Sequence, residues 1–592
     1  MFHPFAVRRL ILLGCLVAPA SMLGVGCDPR VKPPVPPVAQ APISAGEIAK
    51  SAGLSPGGTG DTIDALRDVA EASGLQFTPT GQPAAGYFMP EIMGAGAGFL
   101  DYDSDGLLDV VLIEATWDAQ TQQRRSRARL FQQFAPTQFR DRTEVAGLDW
   151  FDSYGVGLAI GDIDADGDPD LYLTAFGPDQ FFLNNGDGTF QQANDWFDQP
   201  NPRWATAASF VDFDGDGLLD LHVLNYLDYY PSAICEDNRQ RPDYCGPRSF
   251  PGTLGKHYRN SGEKPAEGAA MLDQTARVGL TGPAGPGLGL ICRDFDGDRR
   301  PDIYAAYDQS PNPLWLQQEG GQFVDDGVAR GVATSGLGQP QASMGVAWGD
   351  FNGDGWTDLF ITNIRGEINT LYHGSETGSF RDATAQSGMT TDSLTRTGFG
   401  VSAFDFELDG DLDLAVVNGR VKRDVPLPFT DTPNFWSDYA EPNQLFLNDG
   451  RGKFMVRPQA GLYAMRAEVT RALAVADFDN DGDLDLLTTG CGGPVRLWRN
   501  DAPREGTWLR VRLIDARGPR DGVGAKITVR TGDRVQVREV NPSASYLSSH
   551  DPRAHFGLGS VTTYDQLTVE WADGTLWQDA GGQVDREVVV HR

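Results

Sequence analysis

Seven copies of a nine-residue acidic phrase, Asp-x-Asp-x-Asp-Gly-x-x-Asp or a near variant, run through this chain at intervals of 50 to 82 residues. The first holds Asp101, Asp103, Asp105, Gly106 and Asp109; the second holds Asp162, Asp164, Asp166, Gly167 and Asp170. The third is Asp212, Asp214, Asp216, Gly217, Asp220, and the fourth is Asp294, Asp296, Asp298, Asp302 with Arg299 in the Gly position. The fifth is Asp350, Asn352, Asp354, Gly355, Asp358; the sixth is Asp405, Glu407, Asp409, Gly410, Asp413; the seventh is Asp477, Asp479, Asp481, Gly482, Asp485. Carboxylates at positions 1, 3 and 5 of a tight loop converge on one point. Gly at position 6 supplies the φ > 0 turn, and a carbonyl near position 7 with the carboxylate at position 9 can complete a shell. Hard oxygen donors in this number suit Ca²⁺ better than Mg²⁺, which demands tight octahedral geometry. Zn²⁺ fits less well, because no His or Cys stands within the phrase.

An EF-hand would need an acidic residue at position 12. Here position 12 is Leu112, Leu173, Val223, Ala305, Ile361, Val416 and Thr488. The flanks, such as 107–113, 169–174, 218–224 and 484–489, are short, apolar and β-prone, so each loop joins two strands. The EF-hand is excluded. Acidic turns without metal are the plain alternative, since Asp and Gly favour turns; uncompensated carboxylates so close together would repel strongly. The fourth loop, with Arg299 where Gly belongs, is expected to be the weakest of up to seven Ca²⁺ sites, and Glu407 adjusts the sixth.

The strands that position these loops follow from a second phrase. Apolar residues, an Asn- or Gly-bearing turn and a Phe recur at 182–190 and 445–454, with shorter relatives at 371–374 and 497–500. These read as hairpins. A metal-loop hairpin plus a second hairpin gives four strands per unit, and seven such units predict an all-β, seven-bladed β-propeller over 63–502. Residues 503–592 alternate apolar and polar positions and predict a small C-terminal β-domain. The 592-residue length calls for more than one domain. A net charge of −32 disfavours nucleic acid as a partner.

At the N-terminus, Arg8 and Arg9 precede an apolar stretch over 10–23. It is short for a membrane span and reads as a signal peptide over 1–26, hence export. Residues 23–27 resemble a lipoprotein cleavage box, with Leu23 four places before Cys27 where three is usual. Lipidation of Cys27 or ordinary cleavage nearby are both open, so the expected address is the cell envelope or the secreted fraction. Residues 27–62, rich in Pro, Ala, Gly and Ser, read as a flexible tether. Cys235 and Cys245 lie ten apart in an insertion, and export permits a disulfide between them. Cys292 and Cys491 read as separate buried thiols.

The repeats resemble FG-GAP/VCBS repeats, also found in integrin α-chains. The tail resembles the ASPIC/UnbV domain on 508–511, 521–525, the run Ser545-Tyr546-Leu547-Ser548-Ser549-His550-Asp551-Pro552-Arg553-Ala554-His555-Phe556-Gly557-Leu558-Gly559, and 567–571. Residues 87–94, 244–247 and 258–260 fit the same group, that of the cartilage acidic proteins and their bacterial relatives. Arg299, and Ser549 where Gln is common, depart from the pattern. The resemblance implies a Ca²⁺-dependent extracellular propeller with a binding or adhesive role.

No His-Glu-x-x-His or phosphate loop occurs, and no catalytic residue is assigned. His550 and His555 flank Asp551 and Arg553, which a loop-holding role explains as well as a site. Two insertions, 226–250 and 420–444, carry aromatics suited to a protein or polysaccharide partner: Tyr229, Tyr230, Tyr244, Phe435, Trp436 and Tyr439. Packing of these residues as caps over the blades is the alternative. The rival functional readings are a polysaccharide-acting enzyme with its site in the propeller channel, and a purely structural envelope scaffold.

Overall fold

The computed structural model describes residues 65–592, except 80–82, 84–85, 119, 122, 263–267, 428–429, 431, 433–434, 458–459, 505, 517 and 519. The signal, the tether and Cys27 fall outside the described residues. The repeats and the C-terminal residues belong to one compact unit, 59–592.

Among the described residues, seven antiparallel four-strand arrays precede the C-terminal domain. Their first strands touch in sequence around a circle: Ala97–Leu100, Tyr154–Gly161, Ala205–Val211, Gly287–Arg293, Val346–Gly349, Gly398–Phe404, Thr470–Ala476, and back to Ala97–Leu100. The result is a closed propeller. Crowding at the axis selects glycine in these strands. A Cβ on Gly157 would meet the Thr206 carbonyl oxygen at 2.7 Å, and one on Gly400 would meet that of Arg471 at 2.8 Å. Most second strands, such as Asp170–Phe176, are buried along their whole length between neighbouring blades.

The last blade corrects one reading. Residues 497–500 are not half of a local hairpin; Arg496–Asn500 takes its outer partner from the other end of the chain, Leu66–Asp68, with Leu66 opposite Asn500. A ring must join its ends, and this pairing joins them.

The C-terminal domain packs Thr507–Ile514 between Ala554–Gly559 and Arg586–His591, beside a four-stranded sheet. Leu509, Val511, Ile527, Phe556, Leu567 and Trp571 share its core. One hairpin leaves that core and enters the propeller. Ser543–Ala544 and Ser548–Ser549 join the first blade's sheet, Ser548 and Ser549 running parallel to Ala97 and Gly98. Ser545 exchanges backbone bonds with Val346 and accepts from the Val401 N–H through Oγ at 3.1 Å. Ser548 Oγ and His550 Nδ1 accept from Leu473 and Val475, each at 3.1 Å. At the tip, Tyr546 stacks edge-on against Phe399 and donates to the Met93 carbonyl at 3.1 Å. The hairpin therefore fills the channel from the Asp-loop side and meets the helix Met89–Met93 on the other.

That opposite mouth is capped by the two insertions. Phe88 stacks on Trp117 at 4.3 Å and packs edge-on against Tyr154 and Phe176. The Met89 N–H donates to Tyr229 Oη, and Tyr439 Oη donates to Asp243 at 2.7 Å. Cys235 and Cys245 form a disulfide within the first insertion, while Cys292 and Cys491 are free and buried. Arg471, wholly buried, donates to the carbonyls of Ile92, Gly419, Thr470 and Arg420 and lies over the Phe399 ring.

Because Tyr546 joins the hairpin tip to the helix, its loss opens a cavity at the axis. Tyr546→Ala is expected to cost about 3–5 kcal/mol, read as a lowered urea midpoint. An unchanged midpoint would remove the hairpin from the propeller's core.

Candidate metal centres

Every loop is held by the same bonds. The position-1 carboxylate accepts the position-6 N–H through Oδ2 at 2.7–3.3 Å in all seven, from Gly106 to Asp101 through Gly482 to Asp477. Position 5 accepts, through Oδ1, the N–H two residues on: Leu107 to Asp105, Asp168 to Asp166, Leu218 to Asp216, Arg300 to Asp298, Trp356 to Asp354, Asp411 to Asp409 and Asp483 to Asp481. Position 9 works hardest. Asp109, Asp170, Asp220, Asp302, Asp358, Asp413 and Asp485 each accept the position-2 N–H through Oδ2 at 2.9–3.2 Å. Through Oδ1 each accepts an N–H from the third strand, or in loop 5 from Gly374 just past it, at 2.7–2.9 Å. The sequence reading gave this residue to the metal alone; it also ties the loop to the next hairpin.

The acidic groups gather only in part as the spacing predicts: the position-5 aspartates, expected at the same point, are in none of the close groups. In loops 1, 2, 3, 4 and 7, the residues at positions 1, 3 and 9 each bring one oxygen within 4.8 Å of the others. In loop 5 the third position is Asn352, which contacts His373. In loop 6 Glu407 stands there, and its charge helps to raise the Asp413 carboxyl, after burial. In loop 4, Arg299 adopts φ +69°, taking the conformation expected of Gly, and its guanidinium pairs with Glu570 of the C-terminal domain at 3.0 Å.

A cation fits these sites on two observations. Asp101 Oδ1, Asp103 Oδ1, Asp296 Oδ1 and Asp479 Oδ1 are buried with no hydrogen-bond partner among the described residues, and such orphans are costly. Burial also pushes the carboxyl of Asp109 up to about 9 and those of Asp220 and Asp358 to about 8, with the other loop carboxylates adding to the effect and backbone N–H bonds opposing it. A positive charge at the convergence point would relieve both.

The C-terminal domain lies over this face. Arg512 and Arg520 reach Asp101 Oδ2 at 3.0 and 2.9 Å. Arg510 reaches Asp477 Oδ2 at 2.6 Å, Lys526 reaches Asp294 at 3.4 Å, and the Arg520 N–H donates to Asp162. Sequence reasoning missed these residues. Their signal was the alternation Arg510-Val511-Arg512, which sets two cations on one face of a strand. The His550–His555 motif is consumed in the same docking. Arg553 pairs with Asp551 at 2.8 Å, and His555 Nε2 lies 2.9 Å from the Gly482 carbonyl oxygen. Burial pushes both histidines down to about 4.

The aromatic partner surface is corrected. Tyr244, Trp436 and Tyr439 are 0% exposed, Tyr229 is buried and Phe435 partly so; only Tyr230, at 57%, faces solvent. Tyr244 stacks on Trp436, and Phe435 packs against both. Closing the channel mouth buries more apolar area than display on a loop would leave covered.

Residues 101–173, 162–223, 294–361 and 350–416 match the FG-GAP-like repeat family, and 515–591 match ASPIC and UnbV. Cartilage acidic protein 1 of Mus musculus is 25% identical over 71% of this chain, and that of Xenopus tropicalis is 26% identical over 71%. In both, the matched region spans 62% of the relative's length. Among solved structures, a lectin of Agrocybe aegerita that recognises non-reducing terminal N-acetylglucosamine aligns over 68% of this chain and 86% of its own, at 14% identity and TM-score 0.35. The six-bladed fucose-recognising lectin of Aleuria aurantia aligns over 63% and 96%, at 12% identity and TM-score 0.30. This chain is thus an FG-GAP-repeat β-propeller with a C-terminal ASPIC/UnbV domain, related to the cartilage acidic proteins.

Proposed function

We propose that this protein is an exported, calcium-stabilised propeller that binds a protein or polysaccharide partner and is not an enzyme. The observation that carries the calcium reading is the set of buried, unpartnered carboxylate oxygens at the loop centres. The donors are hard oxygens, numerous and anionic, which favours Ca²⁺. Asp101, Asp103 and Asp109, with their counterparts in loops 2, 4 and 7, would hold it, and the ion would supply charge compensation and rigidity. Asp101 illustrates the coupling this allows: Oδ1 is free for a cation while Oδ2 binds two arginines of the C-terminal domain. Binding in place of catalysis is supported by the hairpin over 543–549, which occupies the axis where a channel substrate would sit. Export follows from the N-terminal pattern. Among the described residues, no helix is long and apolar enough to cross a membrane. A partner is left the rim opposite the loops, where Tyr230, Ile234 and Val425 are exposed.

Thermal unfolding of the chelator-stripped chain tests the metal. Each site should add about 2.7 kcal/mol at a hundredfold excess over Kd, so millimolar Ca²⁺ should raise Tm far more than Mg²⁺. Equal effects of the two ions, or none, would sink the reading. Two substitutions separate metal binding from scaffolding. Asp103→Asn should weaken calcium binding by about tenfold, or about 1.4 kcal/mol, and leave the stripped protein's stability nearly unchanged. Asp358→Ala orphans the Phe351 and Gly374 N–H groups at about 1–3 kcal/mol each, so it should destabilise the fold even in saturating calcium. Calorimetric titration and urea midpoints read the two effects; similar behaviour of both variants would contradict the division of labour.

A further inference from the structure

One position in each blade faces its loop from the third strand. It is the cross-strand neighbour of the position-9 aspartate, fixed by the registers Val110–Phe131, Leu171–Phe182, Leu221–Tyr258, Ile303–Trp315, Leu359–Tyr372, Leu414–Phe446 and Leu486–Trp498. Side chains directly opposite across a pair lie on the same face of the sheet. The residues so placed are Gln132, Leu183, Arg259, Leu316, His373, Leu447 and Arg499.

Only at Arg259 does this side chain bridge two loop carboxylates. Its Nε pairs with Asp214, at position 3, and its Nη2 with Asp216, at position 5, at 3.0 Å. Arg499 has the same charge but turns away to Asp501 at 2.6 Å, and Asp479 Oδ1 stays buried without a partner. Gln132 is neutral, and Asp103 Oδ1 beside it is likewise unpartnered. In loop 4, Arg330 arrives from another segment and reaches one Asp296 oxygen at 3.4 Å, leaving the other without a partner.

We infer that the third loop carries its cation within the chain: the Arg259 guanidinium stands in for the metal ion between Asp214 and Asp216, and this loop takes up no calcium. A guanidinium is planar, permanently charged and forked, so it can satisfy two carboxylates where a metal would otherwise sit. One part of the propeller face is thereby held independently of calcium. The inference rests on the calcium reading of the other loops.

The test counts calcium per chain by elemental analysis after equilibrium dialysis of the full protein. Asp214→Asn should leave the count unchanged, whereas Asp479→Asn should lower it by one ion. Arg259→Gln should raise it by one, and its Tm should fall in chelator and recover in calcium, while Arg259→Lys should keep the wild-type count. If Asp214→Asn loses an ion, or folded Arg259→Gln gains none, the inference is overturned while the calcium reading stands. If the wild-type chain binds no calcium, both are overturned. The Asp214 and Asp479 pair decides the matter even if the Arg259 variants do not fold.

Discussion

Like charge concentrated on one face is the constraint around which this molecule is built. In loops 1, 2, 3, 4 and 7, three acidic residues each bring one oxygen within 4.8 Å of the others. Two ionised carboxylates at that separation repel by about 3.5 kcal/mol at an effective dielectric of about 20. A few such pairs left uncompensated would exceed the net stability of a typical domain, about 5–15 kcal/mol. The chain answers first with its own backbone. Each loop turns N–H groups inward on positions 1, 5 and 9, and Gly, or Arg299 in a Gly-like conformation, makes that turn possible. It answers next with guanidinium and ammonium groups from the C-terminal domain. The buried oxygens that remain unpartnered mark where neither answer reaches.

This explains why the C-terminal domain is not an appendage. A ring of blades leaves its axis open, and an open axis exposes the inner strands to water. The hairpin over 543–549 closes it with backbone and hydroxyl bonds to the inner strands of blades 1, 5, 6 and 7. The same domain brings Arg510, Arg512 and Arg520 onto the loop face. Arg293 and Glu539 add a buried ion pair at 2.9 Å between blade 4 and the domain, where breaking either partner would strand a charge. Electrostatic compensation and channel filling are thus carried by one domain, which accounts for a single compact body over 59–592.

The repeat architecture was legible because its signals are local. Asp-loop spacing, Gly at position 6 and β-prone flanks specify each hairpin without reference to distant residues. The same loops indicated in part which carboxylates gather: loops 1, 2, 3, 4 and 7 bring together positions 1, 3 and 9 and leave position 5 out. What stayed hidden depends on long-range pairing. Nothing near Arg496–Asn500 indicates that its outer strand comes from Leu66–Asp68. Nothing near Ser545 indicates that the turn around it lies between blades 5 and 6. The role of position 9 was half seen: its proximity to the metal point follows from spacing, but its bond to the third strand follows only from register.

The aromatic insertions show how such a reading goes astray. Aromatics in long polar insertions look available to a partner, because the sequence shows their chain neighbours and not what lies across the ring. Here the two insertions come from blades 3 and 6, and each supplies the apolar surface that covers the other. Tyr244 from the first stacks on Trp436 from the second, and Asp243 from the first receives the Tyr439 hydroxyl of the second. Lys422 and Arg423 of the second bond back to Tyr244 and Asp243. The two insertions therefore close the mouth opposite the Asp loops, while the C-terminal hairpin fills the channel from the loop side, and what the insertions leave exposed is a rim where Tyr230 and Ile234 stand beside the Cys235–Cys245 bridge.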